Sequence, residues 1–164
     1  MLAPTTSTTN GLEFRVATAE DIRVLIDLRI DFLVELYGRR AQPDIDALKT
    51  QLLQYFSQAI TDKTYYTIIC ENAGEIAGVG ALLVRTQPGH ILFPRGRTGY
   101  IMNMYTKPPF RRRGIGQNLF GRLIDLARAL DMDKLELHAS RFGEKLYRKN
   151  HFTTPKNPAL ELLL

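Results

Sequence analysis

Apolar residues recur along this chain first at helical spacing, then in unbroken β-branched and aromatic runs, then at helical spacing again. Ile22, Leu25, Ile26, Phe32, Leu33 and Leu36 fall close to one stripe behind a Thr-x-x-acid capping pattern, "TAED" at 18–21, so residues 19–37 predict a first helix. "FRVA" (14–17), just before it, predicts a short strand. "YGRRAQPD" (37–44) interrupts the stripe, and Leu48, Leu52, Tyr55, Phe56 and Ala59 restore it in a second helix, "IDALKTQLLQYFSQAI".

From residue 65 the period shortens. "YYTIICE" and "IAGVGALLVRT" are separated by "NAGE", where Asn72 and Gly74 suit a tight turn, and the pair predicts a hairpin. A Pro- and Gly-bearing loop, "QPGHILFPRGR", leads to a third run, "TGYIMNMYT" (98–106). Helical spacing returns after Gly114 with Ile115, Leu119, Phe120, Leu123, Ile124, Ala127 and Leu130. "KLELHA" (134–139) then predicts a strand, "SRFGEKLYRKN" (140–150) a short helix with Ser140 as its N-cap, and "ALELLL" (159–164) a closing strand. The order β α α β β β α β α β describes one α/β domain over residues 12–164 around a mixed sheet, behind a mobile Thr- and Ser-rich tail at 1–11.

Composition narrows the function. At 164 residues and 45% hydrophobic, the chain is long enough for one proper core. No apolar stretch approaches the roughly 20 residues that span a bilayer, and the first residues lack a leader's pattern, so the expectation is a soluble, cytoplasmic protein with no membrane partner. Cys70 is the single cysteine, which excludes an internal disulfide and a cysteine metal cage, and it is expected to be an inert, half-buried thiol. His90, His138 and His151 are too scattered for a metal site.

Charge is uneven. The first 100 residues balance 10 basic against 11 acidic side chains, whereas the last 64 carry 12 against 6. That surface is suited to an anion: a nucleotide-like cofactor, nucleic acid or a lipid headgroup.

The anion has an evident address. "PPFRRRGIGQNLF" (108–120) joins the end of a strand to the start of a helix, where unpaired N–H groups carry partial positive charge. Gly114 and Gly116 admit a ligand close to the backbone, and the arginines offer forked donors to phosphate oxygens, so a pyrophosphate fits. A Walker A loop would need Lys and Ser/Thr where Gln117 and Asn118 stand, and a dinucleotide fingerprint would need Gly where Leu119 stands.

At Arg111, Arg112, Arg113, Gly114, Ile115 and Gly116 the chain resembles the GCN5-related N-acetyltransferase (GNAT) family, whose pyrophosphate loop reads Gln/Arg-x-x-Gly-x-Gly/Ala. The likeness extends to "GYIMNMYTKPPFRRRGIG", similar to the family's central strand and loop, and to "FGEKLYRKNHF", similar to its Leu-Tyr-x-Lys-x-Gly-Phe helix end. The resemblance implies a mostly antiparallel central sheet flanked by about four helices and splayed at the central strand. It implies acetyl-CoA as cosubstrate, with pyrophosphate on the main chain of residues 112–117, Arg111 beside it, and pantetheine paired with Met104, Tyr105 and Thr106. Ser140 and Gly143 complete the expected cofactor set.

The splay near Asn103 and Met104 is expected to free an N–H for the thioester carbonyl and its oxyanion. Tyr147 occupies the family's general-acid position and, as a phenol, stays protonated at neutral pH. The central strand has no acid, so Glu35 is the candidate base, with Asn103 orienting a water or the amine. His151 stands where the family has Gly, and Asn150 is expected to take the positive φ in its place.

The implied reaction is direct acetyl transfer in a ternary complex to the primary amine of a small molecule, without metal or covalent intermediate. Arg39, Arg40, Arg85, Arg95 and Arg97 around the expected acceptor cleft suggest an acceptor that carries a carboxylate or phosphate. A homodimer is left open. Two other classes stay open beside the enzyme: a non-catalytic acetyl-CoA-binding protein, and a nucleic-acid-binding module using the basic last third.

Overall fold

Six strands form one sheet in the order of the chain: β1 (Ser7–Thr9), β2 (Leu12–Val16), β3 (Tyr65–Asn72), β4 (Glu75–Thr86), β5 (Arg97–Thr106) and β6 (Lys134–Glu136). The computed structural model describes residues 7–9, 11–157 and 159–163. Every neighbouring pair is antiparallel except β5 and β6, which are parallel because helix α3 (Ile115–Ala129) crosses between them. Helices α1 (Ile22–Tyr37) and α2 (Gln42–Thr61) pack on one face of the sheet, and α3 with α4 (Glu144–Lys149) on the other.

Each face has its own core. On the α3 face Phe14, Cys70, Leu82 and Ile101 meet Ile115, Leu119, Phe120 and Leu123. On the other, Ile69, Val79 and Tyr105 meet Leu25, Leu28, Leu52 and Phe56. Phe120 is fully buried, and truncating such a side chain to Ala costs about 3–5 kcal/mol. Cys70 is buried completely rather than by half, and burial pushes its thiol up to about 11, consistent with an inert role.

The element order matches the expected α/β architecture up to its last strand, and several boundaries differ. Residues 19–21 form a 3-10 turn whose Thr18 N–H donates to Asp21 Oδ2 at 2.7 Å, the reciprocal half of the expected capping box, before α1 proper starts at Ile22. The second helix starts at Gln42 instead of after Asp44, since Pro43 sits in the first turn, where its missing N–H costs nothing. The strand expected over 134–139 keeps ladder bonds only over Lys134–Glu136.

Two expectations are overturned. Ser7–Thr9, assigned to a mobile tail, is an edge strand paired with β2; Arg122 on α3 stacks over Phe14 and donates to Ser7 Oγ (2.5 Å) and Thr9 Oγ1 (3.2 Å). Residues 1–6 and 10 of that tail lie outside the described residues. The closing strand is absent over residues 159–163: they hydrogen-bond to no strand, and Leu160, Leu162 and Leu163 are 82–95% exposed. Alternating leucines make a strand only where a ladder partner accepts them, and here none does.

Candidate active site

The middle of β5 departs from regular pairing. Val79 pairs with Tyr105 and Ala81 with Met102, so Gly80 faces two residues, Asn103 and Met104, across a β-bulge in which Asn103 has φ 53. The extra residue shifts the alternation. Met102 and Asn103 both face α1 and α2, while Met104 returns to the α3 face. Beyond the bulge β5 has only one strand neighbour, because β6 pairs with it over Thr98–Tyr100 alone. The outer edge of residues 101–106 therefore carries unpaired main-chain groups, the splay the sequence resemblance led one to expect.

Asn103 is buried, and both ends of its amide are used. Its Oδ1 accepts from Arg29 Nη1, and its Nδ2 donates to Tyr65 Oη at 2.8 Å. Together with Leu25, Leu28, Phe32, Phe56, Thr67, Val79 and Tyr105 these residues line a small cavity with room for about one water molecule. Burial pushes the Tyr65 phenol up to about 12, against the opposing pull of Arg29, so it is a hydrogen-bonding hydroxyl and not a proton store.

The loop after β5 ends at Gly114, the left-handed N-cap of α3 (φ 77). The first regular helix bond runs from Asn118 N–H to Gly114 O, at 3.1 Å, which leaves the N–H groups of residues 115–117 without helical partners. A Cβ on Gly116 would meet nothing nearer than Leu146 Cδ2 at 4.0 Å, and one on Gly114 nothing nearer than Asn118 Nδ2 at 3.8 Å. The space over this helix end is open to a ligand, and the donors facing it suit a pyrophosphate.

The three arginines part company here. Arg111 donates from Nε to Thr106 O at 2.9 Å and from Nη2 to Glu35 Oε2 at 2.5 Å, clamping the loop to α1. Arg113 reaches Asn72 Oδ1 at 3.0 Å. Arg112, exposed and held at φ 64, has no such partner among the described residues and is the arginine available to a phosphate. Gln117 is turned to Asn150, 3.3 Å away. Ile115 is buried under the loop and contributes only its main chain.

Tyr147 is buried on the inner side of α4, with ring centroids 5.1 Å from Phe120 and 6.5 Å from Phe152. Burial raises its phenol above the ordinary value, with a smaller push from Tyr100. Gly143 is required beneath it, since a Cβ there would come within 2.7–2.8 Å of the ring and hydroxyl. α4 starts later than expected, with Gly143 as its N-cap, but Ser140 still makes a capping bond to the turn before it: its Oγ accepts the Gly143 N–H at 3.3 Å, and its carbonyl accepts the N–H groups of Gly143 and Glu144 at 3.0 Å.

At the other end of α4 the expectation for Asn150 is corrected. Its φ is −95, and His151 itself takes the left-handed conformation, at φ 67. The bonds Phe152 N–H to Tyr147 O (3.1 Å) and His151 N–H to Arg148 O (3.0 Å) make a Schellman cap, whose geometry fixes positive φ one place past the helix. Asn150 uses its side chain on Leu146 O instead.

The structure thus groups Gly114, Gly116, Gln117 and Arg112 around the open end of α3, with Met104, Tyr105 and Thr106 on the free edge of β5. Glu35, the candidate base, faces Arg111. Of the five arginines assigned to the acceptor cleft, Arg85 lies over Tyr100 and near Glu136, Arg95 pairs with Asp133, and the Arg97 main chain bonds Asp133, while Arg39 and Arg40 are exposed. Sequence reasoning missed Arg29 and Tyr65. Arg29 was detectable as a charge three and four residues from Ile26 and Leu25, inside an otherwise apolar stripe. Among the described residues no cluster of metal-ligating side chains is present, and no helix is long and apolar enough to cross a membrane.

Comparison with known proteins bears on what this arrangement serves. A predicted acetyltransferase from Clostridium acetobutylicum, solved with acetyl-CoA, superposes with a TM-score of 0.84 at 30% identity, covering 93% of this chain and 96% of that one. A GCN5-related N-acetyltransferase from Ralstonia eutropha JMP134 gives 0.81 at 24% identity, with 93% and 99% covered, and glucosamine-6-phosphate N-acetyltransferase from Arabidopsis thaliana gives 0.65 at 18%, with 92% and 97% covered; both share the fold. No curated protein matches the chain by sequence. The acetyltransferase (GNAT) family profile matches residues 26–152. With that profile covering most of its length, the chain belongs to the acetyltransferase (GNAT) family, with acetyl-CoA as its cosubstrate.

Proposed function

We propose that the protein transfers the acetyl group of acetyl-CoA to a primary amine of a small molecule, directly and within a ternary complex. The observation that carries this reading is the continuity of the free β5 edge, from the bulge at Asn103 to the open N-terminus of α3. Bound acetyl-CoA supplies an activated acetyl group; the rest is done by this chain. The N–H groups of residues 114–117 and the Arg112 guanidinium hold the pyrophosphate. The edge of residues 104–106 aligns the arm, though the Thr106 carbonyl is already taken by Arg111. The bulge turns a main-chain N–H toward the reacting carbonyl, where charge develops. Tyr147 donates its proton to the departing thiolate, a role its raised pKa suits because the phenol stays protonated.

On the α1 and α2 side the amine arrives in neutral form beside Asn103, whose amide is already fixed by Arg29 and Tyr65 and so presents a rigid surface. Water or Glu35 takes the proton released on attack. Calorimetric titration with acetyl-CoA, on the parent and on the double variant Gly114→Glu, Gly116→Glu, tests the cosubstrate site; micromolar binding is expected for the parent and none for the folded variant. CoA release from a panel of primary amines then tests transfer. Binding without release on any amine would replace the enzyme with an acetyl-CoA-binding protein.

A further inference from the structure

Arg29 is a cation to which the sequence pattern gave no role. It lies half-buried on α1, at the mouth of the cavity under the β5 bulge, among Leu25, Leu28, Phe32 and Val79. A guanidinium in such surroundings ordinarily has a carboxylate beside it, because a desolvated charge without a counter-charge is costly. Half-buried Arg15 has Asp21 and Glu71, and half-buried Arg122 is held by the hydroxyls of Ser7 and Thr9 and by the Phe14 ring. Among the described residues Arg29 forms no ion pair. Its one hydrogen-bond partner there is the neutral Asn103 Oδ1, reached through Nη1, so the Nε and Nη2 side of the fork has no acceptor from the protein.

We propose that Arg29 binds a carboxylate carried by the acceptor amine, which makes the acceptor an amino acid or a close analogue. This rests on the transferase reading above. The Nε–Nη2 edge of a guanidinium presents two parallel donors, matched to the two oxygens of a planar carboxylate. Arg29 and Asn103 are hydrogen-bonded, and Asn103 is the bulge residue at the reaction centre. An acid group seated on Arg29 therefore brings a nearby amine to the place where the acetyl group is offered, and the same contact gives the half-buried cation a counter-charge.

The test uses matched amine pairs, an amino acid and the amine left by removing its carboxyl group, for example β-alanine and ethylamine or phenylalanine and phenethylamine. Both are assayed for CoA release, and by calorimetry on protein saturated with CoA. The parent is expected to favour the carboxylate member of its best pair by at least about 100-fold in kcat/KM, mostly through KM, as for loss of a bidentate charged contact. In Arg29→Gln that ratio is expected to fall to a few-fold, and Arg29→Lys should retain part of it. A ratio that stays constant while both members slow together would overturn the proposal, because Arg29 would then act only by holding Asn103. Equal turnover of both members by the parent, or preference for a phosphate-bearing amine, overturns it too. Arg29-dependent binding of the amino acid without any CoA release would sink the transferase reading and leave the carboxylate site standing. Absence of both binding and release across the pairs sinks the two together.

Discussion

Arg111 Nη2 sits 2.5 Å from Glu35 Oε2, tying the phosphate loop to the last turn of α1 across 76 residues of chain. Both side chains are about two-fifths exposed, at 40% and 39%, so their Coulombic attraction is worth at most about 1 kcal/mol. Position matters more than energy here, because the loop caps α3 and α1 carries Arg29. Glu35→Gln is expected to lower kcat less than tenfold and to raise the acetyl-CoA Kd a few-fold, the signature of a loosened loop. A steady-state pH profile decides between roles: if the acidic limb of kcat disappears in Glu35→Gln, Glu35 is the base.

Tyr147→Phe retains the ring that packs against Phe120 and Phe152 and removes only the hydroxyl. Turnover should fall by on the order of 10², with acetyl-CoA affinity nearly unchanged, as for loss of a general acid. The raised pKa of the phenol fixes the pH dependence: the proton is held through neutral and mildly alkaline pH, so Tyr147 imposes no alkaline limb on kcat below about pH 10. An unchanged rate in the variant would remove Tyr147 from the mechanism.

Elements whose apolar period survives over three turns or more were legible in the sequence: α1, α2 and α3 stand where their stripes placed them, to within a few residues. The β3–β4 hairpin was legible from its two apolar runs, although the turn residues at positive φ are Ala73 and Gly74 and not Asn72. What local pattern could not show depended on distant partners. Ser7–Thr9 pairs with β2 and is tied down by Arg122, more than a hundred residues away, whereas residues 159–163 find no ladder partner. The turn from β5 into α3 was legible, since its glycines and helix start are contiguous, but not that Arg111 and Arg113 would turn to Glu35 and Asn72. The acceptor side was not, because Arg29, Tyr65 and Asn103 come from three separate elements and meet only in the fold.

Asp21 makes the acid stability of the protein predictable. Its carboxylate accepts from Arg15 Nη1 and Nη2, both at 2.8 Å, and from Thr18 N–H, and these bonds, Arg15 first, hold its pKa below the ordinary carboxylate value. A depressed folded pKa means that the contribution is complete above the unfolded value of about 3.9 and is lost as pH falls through the folded one. Asp21→Ala should cost about 1–2 kcal/mol at pH 7, from the cap and the charged hydrogen bonds together. Denaturant unfolding from pH 7 down to pH 2 should show that penalty shrinking below pH 4. A penalty that persists undiminished at the acid end would mean that the carboxylate charge is not what matters.

His151 bears a conformational strain that glycine would not. A left-handed residue with a Cβ costs roughly 1–2 kcal/mol, part of which glycine returns through its greater freedom in the unfolded chain. His151→Gly is therefore expected to stabilise by about 0.5–1 kcal/mol and to raise Tm by a few degrees. His151→Val, which adds a β-branched side chain at the same φ, should destabilise. Turnover is the second readout: a firmer cap on α4 holds Tyr147 more steadily, so kcat should not fall in His151→Gly.

Gly116 separates the demands of folding from those of binding. It lies in the first turn of α3, with no positive φ to defend, and an added Cβ would stand in ordinary space, 4.0 Å from Leu146 Cδ2. Helix propensity alone favours alanine over glycine by up to about 1 kcal/mol, less near a helix end. Gly116→Ala is thus expected to stabilise the ligand-free protein slightly and to leave the acetyl-CoA Kd within a few-fold, as the family loop's Gly/Ala at this place implies, whereas Gly116→Glu is expected to raise that Kd tenfold or more, because a long anionic side chain there competes with the pyrophosphate for the N–H donors. Thermal unfolding measured with and without acetyl-CoA reads both effects on one sample, since a ligand stabilises in proportion to the logarithm of its concentration over Kd. A variant with higher Tm alone and a smaller acetyl-CoA shift would mean that the glycine is kept for the ligand's approach and not for the backbone. An undiminished acetyl-CoA shift in Gly116→Glu would place the pyrophosphate elsewhere on the protein.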